Sequence, residues 1–369
     1  MATAHKSRVL DMTQGDPFRL VLQFSMPLFC SNLLQQLYNL TDTALAGHLL
    51  GSAALAEIGA TAALYGLIMN FAFGMNNGLA LTVSRYFGAG DESGIRRAVG
   101  WMVTLSAAVS LVLTGCSLLG RDALLTVLQV PAQAWGGASA YLTVILLGNV
   151  VTHMYLGLNS VLRASGHPRK SMYATINTVV INTILDPLFI FGFGWGIRGA
   201  AIATVLAQVI SLVWQLRILS NKQELLHFRR GIYRLRKKIV RDMLAIGMSP
   251  FLMNLAACFI VILINKGLKE YGGDLMIGAY GIVNRLAFFF VMIVMGLNQG
   301  MQPIAGYNFG ARQYDRLMHV LKLTVIGATC VTSLGFLLGE LLPHWAVAVF
   351  TTDEELIRLA AEGMRIVFL

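Results

Sequence analysis

Two aspartates set in otherwise apolar runs are the residues with the clearest chemical potential. Asp42 follows Asn32, Gln35 and Asn39 at steps of three, four and three, which puts all four on one face of a helix. Asp186 ends a second stripe, Thr175, Thr178 and Asn182. Thr204, Gln208 and Ser211 form a third. A carboxylate at the centre of a bilayer costs about 2.5–3.5 kcal/mol on insertion scales, so an acid held there is a functional candidate. Pro187 follows Asp186 directly; it lacks an N–H, leaves the Thr183 carbonyl without its helical partner and predicts a kink. Pro27 predicts a second kink upstream of Asp42. Carboxylates, an amide oxygen, a hydroxyl and an open carbonyl are hard ligands suited to a small cation. Na⁺ held by Asp42, Asn182, Asp186 and Thr204 is therefore one expectation. Without a cation, two carboxylates in a low-dielectric pocket do not both stay ionised, and one takes up a proton. The same site could carry H⁺ or Na⁺, and no other cofactor is expected. The plainer alternative, that these polar residues hydrogen-bond between membrane helices, stays open here.

The elements that must position these residues follow from composition. Hydrophobic residues make up 56% of the chain and charged residues 12%, against roughly a quarter charged in soluble domains. A hydrocarbon core needs roughly 20 apolar residues per helix. Such stretches lie near 18–46, 55–83, 98–119, 136–162, 171–193, 199–218, 243–265, 276–303, 320–340 and 356–369. The expected fold is all-α and polytopic. With the N-terminus cytoplasmic, the inner segments hold 21 of the 28 Lys and Arg residues and the outer ones four. That bias sets topology by the positive-inside rule and explains the net charge of +10 without nucleic acid. The first 16 residues contain no apolar core of a signal peptide. The expected organisation is a cytoplasmic tail (1–16), an N-terminal lobe (17–219), a basic linker on anionic headgroups (220–241) and a C-terminal lobe (242–369).

An internal repeat crosses the linker. FGMNNGLALTVSRYFGAGD from Phe73 and MGLNQGMQPIAGYNFGARQ from Met295 align at an offset of 222, matching Gly74, Asn76, Gly78, Phe87 and Gly88 with Gly296, Asn298, Gly300, Phe309 and Gly310. The repeat is parallel, about an axis along the membrane normal. It predicts two pseudo-symmetric six-helix lobes, the second cut short at Leu369. Asn265 follows Pro250 by 15 residues, as Asp42 follows Pro27, so the second-half counterpart of Asp42 is a neutral amide and coupling chemistry is expected in the first half. Arg285 is the other intramembrane charge, and His153 is expected inside a span as a packed polar residue. The seven histidines show no metal-ligand spacing, the four cysteines form no CxxC, and there is no Walker loop. No enzymatic activity is expected.

The runs QQLYNLTDTALAGHLLG, VSRYFGAGDESGIRRAV, LRASGHPRKSM and QGMQPIAGYNFGARQYDR resemble segments of the multidrug and toxic compound extrusion (MATE) family. The resemblance covers the chain from about Pro17 to its end. It implies a twelve-helix, two-lobed, monomeric transporter of the cell membrane that exports organic cations against H⁺ or Na⁺ by alternating access. It also implies that Asp42, Asn182, Asp186 and Thr204 carry the coupling ion, as in prokaryotic members with an N-lobe site, and that Gln35 and Asn159 face the cavity. Asn39, Thr178 and Gln208, on the polar stripes, are expected to line the same pocket. Expected partners are organic cations and lipids. The seventh span carries Asn254 and no carboxylate, which departs from members with a C-lobe site. The alternatives are a flippase for lipid-linked precursors, whose cavity should be strongly basic, and an inactive truncated fragment.

Overall fold

The computed structural model describes residues 11–127, 130, 135–220, 237–351 and 353–368, and among them ten α-helices follow one another. Side chains at 39–60, at scattered positions of 62–70 and at many of 237–277 lie outside that description. The N-terminal half comprises α1 (Pro17–Gly88), α2 (Glu92–Leu119), α3 (Arg121–Val127), α4 (Trp135–Ala164), α5 (Pro168–Pro187) and α6 (Gly196–Leu219), with a π-helical turn (Leu188–Gly192) between the last two. The second half comprises α7 (Lys237–Gly310), α8 (Tyr314–Leu341), α9 (Pro343–Ala348) and α10 (Glu354–Val367). Among the described residues, six helical segments are long and apolar enough to cross a membrane. They are Glu92–Leu119, Trp135–Ala164, Pro168–Gly192, Gly196–Leu219, Gly278–Gly310 and Tyr314–Leu341.

The repeat is written into these limits. Adding the offset of 222 to the ends of α2 gives those of α8, and Gly88 and Gly310 close α1 and α7. The short helices α3 and α9, absent from the sequence expectation, also correspond. The turn after each long helix repeats bond for bond. The N–H groups of Ala89, Gly90 and Asp91 donate to Arg85, Phe87 and Tyr86 at 3.0, 3.1 and 3.2 Å. Those of Ala311, Arg312 and Gln313 donate to Tyr307, Phe309 and Asn308 at 2.9, 3.1 and 2.9 Å. Each is a helix C-terminus closed through a left-handed residue: Gly90 at φ 66° in the first half, Arg312 at φ 59° in the second.

The sequence divides α1 into two spans, yet it is helical from end to end, including through Pro27. Its ends nevertheless meet the same short stretch of α7. Gly300 packs on Ser25 and Gly306 on Ser84. Six residues of α7 cover about 9 Å, whereas a straight helix would hold Ser25 and Ser84 about 88 Å apart. Between those serines α1 therefore doubles back, so the two expected spans exist as its two arms. The seventh and eighth spans are likewise joined in α7.

Helix association in lipid relies on close packing at small residues rather than on the hydrophobic effect. The seam between the halves uses it at the Arg/Lys-rich end of the bundle. A methyl group on Gly88 would overlap the Tyr307 carbonyl, and one on Gly310 would overlap the Arg85 carbonyl. Phe87 stacks on Tyr307 at 5.9 Å, and the Arg85 guanidinium sits 4.7 Å from the Phe309 ring centre. Residues before α1 join this seam. Met12 is fully buried, its carbonyl accepts from Asn308 Nδ2 at 3.2 Å, and the Gln14 carbonyl accepts from Arg316 at 2.8 Å.

Asp91 caps α2 by accepting from the Gly94 N–H at 2.9 Å and from the Ser93 hydroxyl at 2.9 Å. These bonds, the Gly94 one above all, hold its carboxyl below the usual carboxylate range. A depressed folded-state pKa gives stability that is present above the unfolded value and lost as pH falls through the folded one. Asp91→Asn, which keeps a capping oxygen, should remove that acid-side loss, read as thermal midpoint against pH. Gly88→Ala and Gly310→Ala should each destabilise the chain by about 1–3 kcal/mol. Gly281→Ala, where an added methyl meets nothing within 4 Å, should be neutral or better in the same thermal assay.

Candidate functional site

The far end of α5 holds a confined polar pair. Asn182 and Asp186 stand one helical turn apart and are each 1% exposed. Asn182 Nδ2 donates to Asp186 Oδ1 at 3.0 Å. With its amide so turned, Asn182 Oδ1 is buried and has no hydrogen-bond partner among the described residues. A buried amide oxygen without a donor forfeits about 1–3 kcal/mol unless a cation, a proton donor or water fills the place. Among the described residues no three His, Cys, Asp or Glu side chains gather as a metal centre. The pair offers hard oxygens alone, which suits H⁺ or an alkali cation better than a transition metal.

Local structure explains how the pair is held. Pro187 ends the α-helical hydrogen bonding of α5, and the chain continues through the π-turn Leu188–Gly192 instead of a simple bend. π-turns commonly mark functional positions in helices. The turn is braced from α6: a methyl on Gly199 would sit 2.8 Å from the Phe189 carbonyl carbon. Phe189, Phe193 and Trp195 pack on one another with ring centres 5.1–5.6 Å apart. Pro27 produces no comparable turn in α1; the Ser31 hydroxyl donates to its carbonyl at 2.9 Å.

The other sequence candidates spread along the seams of α4, α5 and α6. Thr204 donates to the Ala200 carbonyl at 3.1 Å and lies 3.4 Å from the Tyr38 hydroxyl, which ties α6 to the first arm of α1. Thr178 donates to Ser211 at 2.7 Å. Gln208 accepts from Thr152, joining α6 to α4. Asn159 accepts from Ser171 at 2.6 Å and donates to Thr175 at 3.5 Å. Gln35 is part-buried on α1. The side chains of Asn39 and Asp42 lie outside the described residues. Eleven positions separate Thr175 from Asp186, about 16 Å of helix, so the α5 stripe lines a seam with Asn182 and Asp186 at its far end.

Several buried polar residues were not among the sequence candidates. Gln215 is fully buried with neither amide atom hydrogen-bonded among the described residues. It continues the stripe of Gln208 and Ser211, so its spacing was the signal. Asn76 accepts from Ser106 at 2.7 Å and donates to the carbonyls of Ala72 and His153 at 2.9 and 3.3 Å. His153, expected inside a span, is fully buried on α4 with its ring 6.3 Å from that of Phe71.

The MatE family profile matches residues 27–188 and 246–369, most of the chain and both halves of the repeat. The chain belongs to the MatE family. Among its relatives is the multidrug export protein MepA of Staphylococcus aureus (strain MSSA476), 26% identical over 343 residues, covering 93% of this chain and 76% of that protein. MepA of Staphylococcus haemolyticus (strain JCSC1435) is 27% identical over 345 residues, covering 93% and 75%. The chain thus spans about three quarters of these relatives' length. In fold it matches a MATE in the bent conformation with a TM-score of 0.90, at 22% identity, over 99% of this chain and 80% of the other. It matches an outward-facing MATE transporter with a TM-score of 0.89, at 22% identity, over 98% and 80%. This MatE chain therefore shares their helical membrane architecture.

If the Thr152–Gln208 bond ties α4 to α6, Thr152→Val and Gln208→Leu should each destabilise by about 1 kcal/mol. The double variant should lose less than the sum, by roughly 0.6 kcal/mol in a membrane interior. A double-mutant cycle on thermal midpoints checks it.

Proposed function

We propose that this protein is a cation-coupled antiporter that exports amphipathic organic cations across the cell membrane by alternating access, with its N-terminus and basic linker cytoplasmic. The observation that carries the proposal is the Asn182–Asp186 pair, a buried carboxylate beside a buried amide oxygen that has no partner among the described residues, set against the π-turn. Family membership and the likeness to the multidrug export protein MepA support export of drugs rather than catalysis.

A buried carboxylate takes on a proton or a cation rather than stand alone in a low-dielectric site. H⁺ or Na⁺ at Asp186 neutralises it, and Na⁺ draws on Asn182 Oδ1 as a further ligand. Asp42 and Thr204 complete the proposed set from α1 and α6. Charge on Asp186 changes what the end of α5 and its π-turn can pack against, so occupancy biases the arrangement of α5 on α6. The coupling ion exchanges the lobes' packing for release of drug only if it binds one arrangement better than the other, since equal binding shifts nothing. The seam at Gly88 and Gly310 closes the basic, inner end; opening it would admit substrate from the cytoplasm. Gln35, Asn39, Asn159, Thr178 and Gln208 supply polar contacts along the N-lobe.

The test is efflux of a fluorescent organic cation from cells under imposed H⁺ or Na⁺ gradients. Asp186→Asn and Asp42→Asn should each reduce gradient-driven efflux at least tenfold at equal expression, and the gradient that drives the wild type names the ion. Efflux unchanged in both would refute coupling at this site.

A further inference from the structure

A second polar site lies across the seam between the halves, far along α4 from the α5 pair. Arg163, in the last turn of α4, is 9% exposed. Its Nη2 donates to Asn77 Oδ1 at 2.7 Å and to Ser160 Oγ at 2.6 Å. A guanidinium has five N–H donors in a rigid fork, so those on Nη1 and Nε are left for another acceptor. Among the described residues two ion pairs form, Arg96 with Glu92 and Arg121 with Asp122, and Arg163 is in neither. Its fork lines a small cavity shared with Ser84 from the N-terminal half and with Gln299, Gln302 and Pro303 from α7. The free volume is about 10 Å³, room for one water-sized occupant.

This lining offers the side-chain N–H groups of Arg163, Gln299 and Gln302 and holds a permanent cation with no carboxylate among the residues that line it. The Ser84 and Ser160 hydroxyls already donate to Ala80, Ala164 and Asn77. A charge taken out of water is costly unless it is paired. Charge selects an anion, the narrow space suits a small one, and a lone water leaves the charge uncompensated. We propose that the Arg163 cavity is a halide-sized anion site, taking chloride, that bridges α4 and α1 to α7. Because Arg163 and Ser84 come from one half and Gln299 and Gln302 from the other, the site is complete only while the halves are closed at this end. Anion binding therefore favours the closed seam over the open one, by its difference in affinity for the two. This is independent of which cation drives transport.

The experiment uses the purified full chain in detergent, with chloride replaced stepwise by gluconate at fixed sodium concentration and ionic strength. The expected result is a saturable rise of the thermal midpoint with chloride, of roughly 2 °C or more. Bromide should substitute for chloride. Arg163→Gln should abolish the rise and Gln302→Leu, on the opposite half, should weaken it at least threefold in chloride affinity. If Arg163→Gln does not fold, Gln302→Leu and the anomalous density of a bromide-soaked crystal decide, with bromide expected beside the Arg163 guanidinium. A midpoint indifferent to chloride, a rise that persists unchanged in Arg163→Gln or, where that variant does not fold, in Gln302→Leu, or bromide density only elsewhere would each overturn the proposal.

Discussion

Two glycines, each at the end of a long helix, let backbone lie on backbone where the halves of the molecule meet. Gly88 lies against the Tyr307 carbonyl and Gly310 against the Arg85 carbonyl, and the pairs exchange under the repeat. Nothing bulkier fits, because the opposing atoms are main chain and cannot turn aside. Everything else at that end is arranged about this contact: the Phe87–Tyr307 stack, Arg85 over Phe309, and the serines that receive Gly300 and Gly306. A lipid-embedded protein gains little by burying leucine against leucine. Close approach of small residues is the force available to hold the two lobes together.

The N-terminal half spends its polar residues on cross-helix bonds, and most are satisfied. Thr152 with Gln208, Thr178 with Ser211, and Asn159 with Ser171 fasten α4, α5 and α6 to one another. Against that background, Asn182 Oδ1 and the Gln215 amide are exceptions with no partner among the described residues. Both lie on helix faces that the satisfied residues define. Cross-helix bonds brace this lobe throughout, and Asp186 stands beside the π-turn where α5 departs from regular helix.

Period and repeat made most of this fold legible. The offset of 222 seen in glycines, asparagines and phenylalanines reappears in the limits of α2 and α8 and in the turns after α1 and α7. The stripes on α5 and α6 were legible because polar residues in a lipid-facing helix stand out at steps of three and four. Hydropathy could not show that the first two spans are arms of one helical element, because it marks apolar length and not hydrogen-bonding continuity. Nor could it find α3 and α9, which are too short to register. Arg163 is one of the 21 inner basic residues, and its position just before Ser165 and Gly166 reads in sequence as a helix end. Its burial depends on Asn77 and Gln299, which lie far away in the chain. The π-turn was half legible: Pro187 announces a break, while its form depends on the fit of Gly199 against Phe189.

The segment before α1 adds a condition on how the molecule comes to be. Met12 and Gln14 are anchored by Asn308 and Arg316, partners about 300 residues further along the chain. At about 5–20 residues per second of synthesis, Met12 waits roughly 15–60 s before the residues that bury it exist. Until then a methionine destined for the core remains unpacked, and the first lobe inserts and folds without its final tie. The join between the two lobes can thus close only once α7 and the start of α8 have been made.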